Sequence, residues 1–149
     1  MITKKNFEDV SVHVKLKLAA LWASFMFLYV YVDYFSLYMP NKIDDITKGK
    51  VFIFDITQAF IFITLALASV PILMVFLSVT LPAKINRLTN IIVAIIHIPY
   101  MLFNLAGEAW IHMIFAAVIE VILLCFIIYY ACKWPSCENS STSEKIENK

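Results

Sequence analysis

Residues 109–132 read AWIHMIFAAVIEVILLCFIIYYAC, a continuous apolar run whose only carboxylate is Glu120. A helix of about 20 residues, rising ~1.5 Å per residue, crosses the ~30 Å hydrocarbon layer of a membrane. Three further apolar stretches precede it, at residues 16–39, 52–81 and 88–106. The connections are short, so consecutive helices should pack antiparallel. The sequence therefore predicts an all-α polytopic membrane protein with a four-helix antiparallel transmembrane bundle.

The composition supports the same class of protein. Of the 149 residues, 62% are hydrophobic and 15% are charged, with a mean hydropathy of +0.82, whereas soluble domains carry about 25% charged residues. The formal net charge of +1 offers no electrostatic surface for nucleic acid. We therefore expect the lipid bilayer as partner and no nucleic acid, with a homo-oligomer or a second membrane protein left open.

The domain organisation follows from the position of the polar segments. We expect a cytoplasmic N-terminal segment at 1–15, the transmembrane domain at 16–135, and a disordered cytoplasmic tail at 136–149, where Ser, Glu, Asn and Lys dominate. The first apolar stretch is too long for a signal peptide, so it should remain as a helix. The connection at 40–51 predicts either a turn or a short interfacial helix.

The basic residues set the expected orientation. Nine of them fall on the side that holds both termini and the second connection, and three fall on the opposite side. The positive-inside rule then places both termini in the cytoplasm, in a multi-pass protein of the cell inner (plasma) membrane. The nine are Lys4, Lys5, Lys15, Lys17, Lys84, Arg87, Lys133, Lys145 and Lys149, and the three are Lys42, Lys48 and Lys50.

Ionisable residues at membrane depth are the first candidates for function, because such groups are costly in lipid and usually face the bundle interior. Glu120 and His97 lie near the midpoints of spans four and three. We expect them to pair, as an ion pair or as a neutral hydrogen-bonded pair. The pair would act either as a proton-exchanging or ligand-binding centre, or as an interhelical bond that stabilises the bundle. We favour the stabilising role.

A polar stripe follows the third span. Asn90, His97 and Asn104 recur every seven residues, which is about two helical turns, so they share one helix face. Such a stripe must face protein or water rather than lipid. It either lines a narrow polar path or forms interhelical hydrogen bonds, and we favour hydrogen bonding.

A second group of polar residues is expected in the outer half of the membrane. Asp33 lies in the apolar and aromatic run 30–35, where an isolated carboxylate is costly. We expect it to face the bundle interior, with Tyr29 as a donor and Gln58, Asn104 and His112 as further candidate partners. The complete candidate polar cluster is Asp33, Gln58, Asn90, His97, Asn104, His112 and Glu120.

The sequence carries no phosphate loop, nucleophile elbow or zinc-protease signature. Cys132 and Cys137 have no zinc-site spacing. His97 and His112 lie on different helices at different depths, which argues against haem ligation. The sequence therefore assigns no catalytic residue, no metal site and no cofactor, and it does not predict an enzyme.

One set of segments matches a known pattern over nearly the whole chain up to Trp134. The segments are Leu21-Trp22, Asp33, Ser36-Leu37, Pro71 to Ser78, Leu81-Pro82, Lys84, Asn86-Arg87, Asn90 to Ile92 and Ile119-Glu120. They resemble a family of small bacterial integral membrane proteins of unknown function. The resemblance implies four helices and no established activity. A looser likeness to the DoxX-like four-helix membrane proteins rests on architecture alone.

Three classes of function are compatible with these observations. The first, which we favour, is a structural or accessory membrane protein whose buried polar cluster stabilises the bundle. The second is a small oligomeric transporter or channel that uses the intramembrane Asp, His and Glu groups. The third is a DoxX-like membrane redox or quinone-linked protein.

Overall fold

The structure is a computed structural model that describes residues 11–51, 53–105 and 109–134. As predicted, the fold is an all-α bundle, and four of its helices are long and apolar enough to cross a membrane. The described elements, in chain order, are α1 (Val14–Ser36), α2 (Lys42–Thr47), β1 (Lys50–Val51), β2 (Phe54–Asp55), α3 (Gln58–Thr80), α4 (Ala83–Phe103) and α5 (Ile111–Cys132). The two short strands pair antiparallel as a hairpin.

The second membrane-capable helix begins later than predicted. We expected it from residue 52, but it begins at Gln58 because the hairpin occupies the residues before it. The hydroxyl of Thr57 accepts a 3.1 Å hydrogen bond from the amide of Phe60. This bond satisfies one of the free N–H groups of the first turn and fixes the start of α3.

Two other boundaries also differ. The third membrane-capable helix was predicted from residue 88 and begins at Ala83, so most of the expected connection 82–87 is helical. Pro82 directly precedes α4, where a missing N–H has no cost. The first helix ends at Ser36 rather than at 39. The N-terminal residues 1–10 and the tail predicted to be disordered lie outside the described residues.

Connection 40–51 contains the short helix that was one of the two expectations. Asn41 and Gly49 flank α2, and both have left-handed backbone conformations, with φ of 64° and 77°. These are the residue types that tolerate this conformation best. The two turns allow α2 and the hairpin to fold within a short connection.

The four long helices form a closed ring. Helix α5 packs against α1 and α4, while α3 packs against α1 and also contacts α4. The rings of His13 and Trp134 lie 6.5 Å apart, and the Lys15 ammonium donates a 3.2 Å hydrogen bond to the carbonyl of Val79. These contacts join the start of α1 to the ends of α3 and α5. We call this end of the bundle the terminal end and the opposite end, with α2 and the strands, the hairpin end.

The apolar core is densest in the half of the bundle next to the terminal end, while Met101, Ala116 and Ala117 are buried nearer the hairpin end. The buried residues of α1 are Leu18, Trp22 and Phe25, and those of α3 are Pro71, Met74 and Ser78. Neither helix buries a residue over its hairpin-end half, at 26–36 and 58–70. In that half, burial comes from α4 and α5 instead, where His97, Met101 and Ala117 are buried.

Candidate functional site

A buried hydrogen-bond network centred on Asn90 joins three helices in the terminal half. The Oδ1 of Asn90 accepts from the indole Nε1 of Trp22 at 2.7 Å and from the Oγ of Ser78 at 3.2 Å. The Nδ2 of Asn90 donates to Asn86, at 2.6 Å to Oδ1 and 2.8 Å to the carbonyl. Asn86 in turn donates to the carbonyl of Ser78 at 2.6 Å. All four residues are fully buried, so each bond replaces one that water would make.

This network explains part of the polar stripe. Asn90 links α4 to both α1 and α3, as the hydrogen-bonding interpretation of the stripe requires. The seven-residue spacing pointed to Asn90, but it did not identify Trp22 or Ser78 as its partners. A closed and satisfied network of this kind stabilises a bundle and leaves no group for chemistry.

The structure shows no direct hydrogen bond between His97 and Glu120. The Nδ1 of His97 lies 2.8 Å from the carbonyl of Val93, one turn back on its own helix. A carbonyl only accepts, so this nitrogen carries the hydrogen. The imidazole is 7% exposed and sits edge-on to Trp22, Phe25 and Tyr100, each at a centroid distance of 6.1 Å.

A cavity of about 660 Å³ occupies the hairpin half of the bundle. One face of each long helix lines it, as the spacing of the lining residues within each helix shows. The faces are Tyr29, Val32, Asp33 and Ser36 on α1; Phe60, Ile63, Thr64 and Leu67 on α3; Tyr100, Met101 and Asn104 on α4; and Met113, Ala117 and Glu120 on α5. Its volume is in the range of small-molecule sites, which is about 300–1,000 Å³.

Two carboxylates face this cavity from opposite parts of the sequence. Glu120 is 5% exposed and Asp33 is more accessible. Neither side chain forms a hydrogen bond or ion pair within the described part of the chain. The two groups nevertheless lie close enough to interact electrostatically. A carboxylate buried without a partner is costly, so Glu120 is the residue whose placement most needs an explanation.

Asp33 lines the cavity at the hairpin end but is exposed, and most of its expected partners lie elsewhere. Gln58 is exposed at the start of α3 and does not line the cavity. The Nε2 of His112 is buried without a hydrogen-bond partner among the described residues, and its ring packs edge-on to Trp110 at 6.2 Å. Asn104 lines the same cavity as Asp33 without a hydrogen bond to it.

A tyrosine pair marks the deep end of the cavity. The hydroxyls of Tyr29 and Tyr100 lie 3.5 Å apart, between α1 and α4. Both also border a second, smaller space of about 10 Å³ that His97 and Pro71 help to line. This space is close to the size needed by one water molecule. The sequence did not indicate Tyr100 as part of a site, because an aromatic residue in an apolar span has many structural uses.

In the described part of the chain, no group of three or more His, Cys, Asp and Glu side chains is arranged to hold a metal ion. Cys125 and Cys132 are free and exposed. The geometry thus consists of a stabilising network at one end and a carboxylate-bearing cavity at the other. Fold and site together define a protein with four membrane-capable helices and a largely apolar cavity that carries two carboxylates.

The comparison with family models gives the particular family. Residues 5–141 match the model described as a family of unknown function, DUF6326, and the chain belongs to that family. The expectation of an uncharacterised family is therefore confirmed. No curated protein and no solved structure shows significant similarity to the chain.

Proposed function

We propose that this protein binds a small molecule inside its membrane domain, in the cavity at the hairpin end. The observation that carries the proposal is that one face of all four long helices lines a single space of about 660 Å³. Residues from α1, α3, α4 and α5 can therefore contact one ligand at the same time. Largely apolar walls with a few polar groups are typical of small-molecule sites.

The connection at the hairpin end supports the same proposal. Lys42 and Ile46 of α2 and Val51 and Phe54 of the hairpin line the cavity from its outer end. The short helix and strands therefore form part of the cavity wall at this end. A segment in this position is suited to control ligand access.

The orientation proposed for the protein places this site on the outer side of the plasma membrane. Lys15 and Lys17 near the start of α1, Lys84 and Arg87 in α4, and Lys133 after α5 all belong to the terminal end. The positive-inside rule favours a cytoplasmic location for that end. The cavity would then be nearer the outer surface, where it receives its ligand from outside the cell or from the outer leaflet.

A structural or accessory role is the second candidate, and the Asn90 network favours it. That network accounts for Asn86, Asn90, Trp22 and Ser78 without any ligand. It lies in the other half of the bundle and includes neither carboxylate. We therefore assign the network to stability and the cavity to binding.

A neutral aromatic probe tests the binding proposal. N-phenyl-1-naphthylamine is added to the purified protein in lipid nanodiscs, and thermal unfolding is followed by circular dichroism. A ligand that binds only the folded state raises the free energy of unfolding, by about 2.7 kcal/mol at 100 times its Kd, and therefore also raises the unfolding midpoint. We expect a saturable rise for the native protein.

Two matched variants locate the effect. Thr64 and Thr80 both lie on α3 and both donate a hydroxyl hydrogen bond to the carbonyl four residues back, but only Thr64 lines the cavity. Thr64→Trp fills the cavity and should abolish the probe-induced rise, whereas Thr80→Trp should retain it. An equal response of both variants, or no saturable rise in the native protein, would refute the proposal.

A further inference from the structure

We propose that the cavity selects a monovalent organic cation and binds it between Asp33 and Glu120 in exchange for a proton. This inference rests on the proposed binding function and specifies its ligand class. Both carboxylates line the same cavity. They come from α1 and α5, which pack directly against each other.

The environment of Glu120 points to a missing positive charge. Its side chain is 95% buried, lines the cavity and has no hydrogen-bond or ion-pair partner within the described residues. Buried carboxylates are normally neutralised by a proton or by a cation. Glu120 therefore holds a proton when the cavity is empty and is free to face a cation when the cavity is filled.

The other ionisable groups that face the cavity limit the charge of the ligand. They are Asp33 and Tyr29 on α1, Tyr100 on α4 and Lys42 on α2, while α3 and the hairpin contribute none. With both carboxylates ionised, two negative charges oppose the single ammonium of Lys42. Among the described residues, the lining then carries one negative charge in excess, which one monovalent cation neutralises.

The walls favour an organic cation over a small inorganic ion. The cavity is far larger than a dehydrated metal ion needs, and its surface is mainly apolar. Tyr29, Phe54, Phe60, Tyr100 and Phe103 place aromatic rings along it. Aromatic faces attract cations, most strongly when water is excluded. An ammonium or phosphonium group with an apolar body matches both features.

The cation is exchanged for a proton because both are bound by the same two carboxylates. In the empty protein, a proton on one carboxylic acid relieves the repulsion between the two groups. When the cation binds, the O–H bond of that acid breaks and the proton passes to water, so that one positive charge enters as another leaves. Protons and cations thus compete, and a higher pH strengthens cation binding.

Two probes of nearly the same shape and opposite charge test the inference. Tetraphenylphosphonium and tetraphenylborate are titrated into the protein in nanodiscs of zwitterionic lipid, with empty nanodiscs as reference. We expect the cation to bind at least about tenfold more tightly than the anion, the equivalent of ~1.4 kcal/mol. Its apparent affinity should rise by up to about tenfold per pH unit where one proton is released. Calorimetry in buffers of different ionisation enthalpy should detect that proton.

Variants that remove one charge at a time assign the site. Asp33→Asn and Glu120→Gln keep the size of each side chain, and each should weaken tetraphenylphosphonium binding by about tenfold or more and flatten its pH dependence. Asp55→Asn is the matched control, because Asp55 is an exposed carboxylate of β2 that does not line the cavity. It should change neither property. Binding of N-phenyl-1-naphthylamine by each variant shows that its cavity is still formed.

The outcomes separate this inference from the binding proposal. If the neutral probe binds saturably while the cation gains no preference over the anion, cation selection is wrong and the binding site stands. If the cation is preferred but its affinity does not depend on pH or on either carboxylate, proton exchange at Asp33 and Glu120 is wrong. If no probe binds saturably, the binding proposal itself fails.

Discussion

The indole Nε1 of Trp22 donates a 2.7 Å hydrogen bond to the Oδ1 of Asn90, across 68 residues of sequence and between two helices that are not neighbours along the chain. Both side chains are fully buried. The bond fixes the rotation of α4 relative to α1. It thereby determines which residues of α4 reach the cavity further along the bundle.

Replacing Asn90 should destabilise the bundle. Asn90→Leu leaves the Trp22 indole and the Ser78 hydroxyl without their acceptor. An unsatisfied buried polar group costs about 1–3 kcal/mol, so we expect a stability loss of at least that size in detergent unfolding followed by circular dichroism.

Asn104→Leu is the control for this change. Asn104 belongs to the same seven-residue stripe, but it is exposed and its side chain makes no hydrogen bond with the described residues. We expect Asn104→Leu to have little effect on unfolding. Equal losses for both variants would contradict a special structural role of Asn90.

His97 and Glu120 should behave as energetically independent residues. His97→Phe retains the aromatic contacts with Trp22 and Phe25, and Glu120→Gln retains the size of the second side chain. Because the structure shows no bond between them, the stability effects of the two changes should add within about 0.5 kcal/mol. A coupling energy clearly above that value in the double-mutant cycle would restore the pairing that the structure does not show.

These residues also show which features could be predicted from the sequence and which could not. The apolar lengths were sufficient to predict the four helices. The seven-residue spacing of Asn90 and His97 matches two buried positions of α4, whereas Asn104 lies just beyond the end of α4 and is exposed. The similar membrane depth expected for His97 and Glu120 did not determine the orientation of the His97 side chain. The carbonyl of Val93 and the aromatic rings of α1 compete with Glu120 for contact with the imidazole. Side-chain partners depend on the order of helices in the ring, which no local pattern contains.

The cavity was inaccessible to sequence analysis for a different reason. An apolar face such as Phe60, Ile63 and Leu67 can pack against another helix or line an empty space, and its pattern is the same in both cases. Whether the helices close or diverge depends on the complete packing of the bundle. Sequence analysis therefore identified Asp33 and Glu120 separately but did not place them in one site.

The proposed orientation has a direct test. In a variant whose native cysteines are replaced by Ser, Asp44→Cys puts a thiol on the exposed surface of α2 at the hairpin end. A membrane-impermeant maleimide should label it in intact cells. Lys84→Cys, exposed at the terminal end, should be labelled only after the membrane is opened. The reverse pattern would invert the proposed topology.

The central claim is that a single site between four helices holds a cation against Asp33 and Glu120. The most direct measurement is a crystal structure grown with tetraphenylarsonium, whose arsenic atom is located by its anomalous scattering. We expect one arsenic peak within the cavity, flanked by the two carboxylates and by Tyr29 and Tyr100. An arsenic peak only on the lipid-facing surface, or a hairpin half in which the helices have closed and left no space, would contradict it.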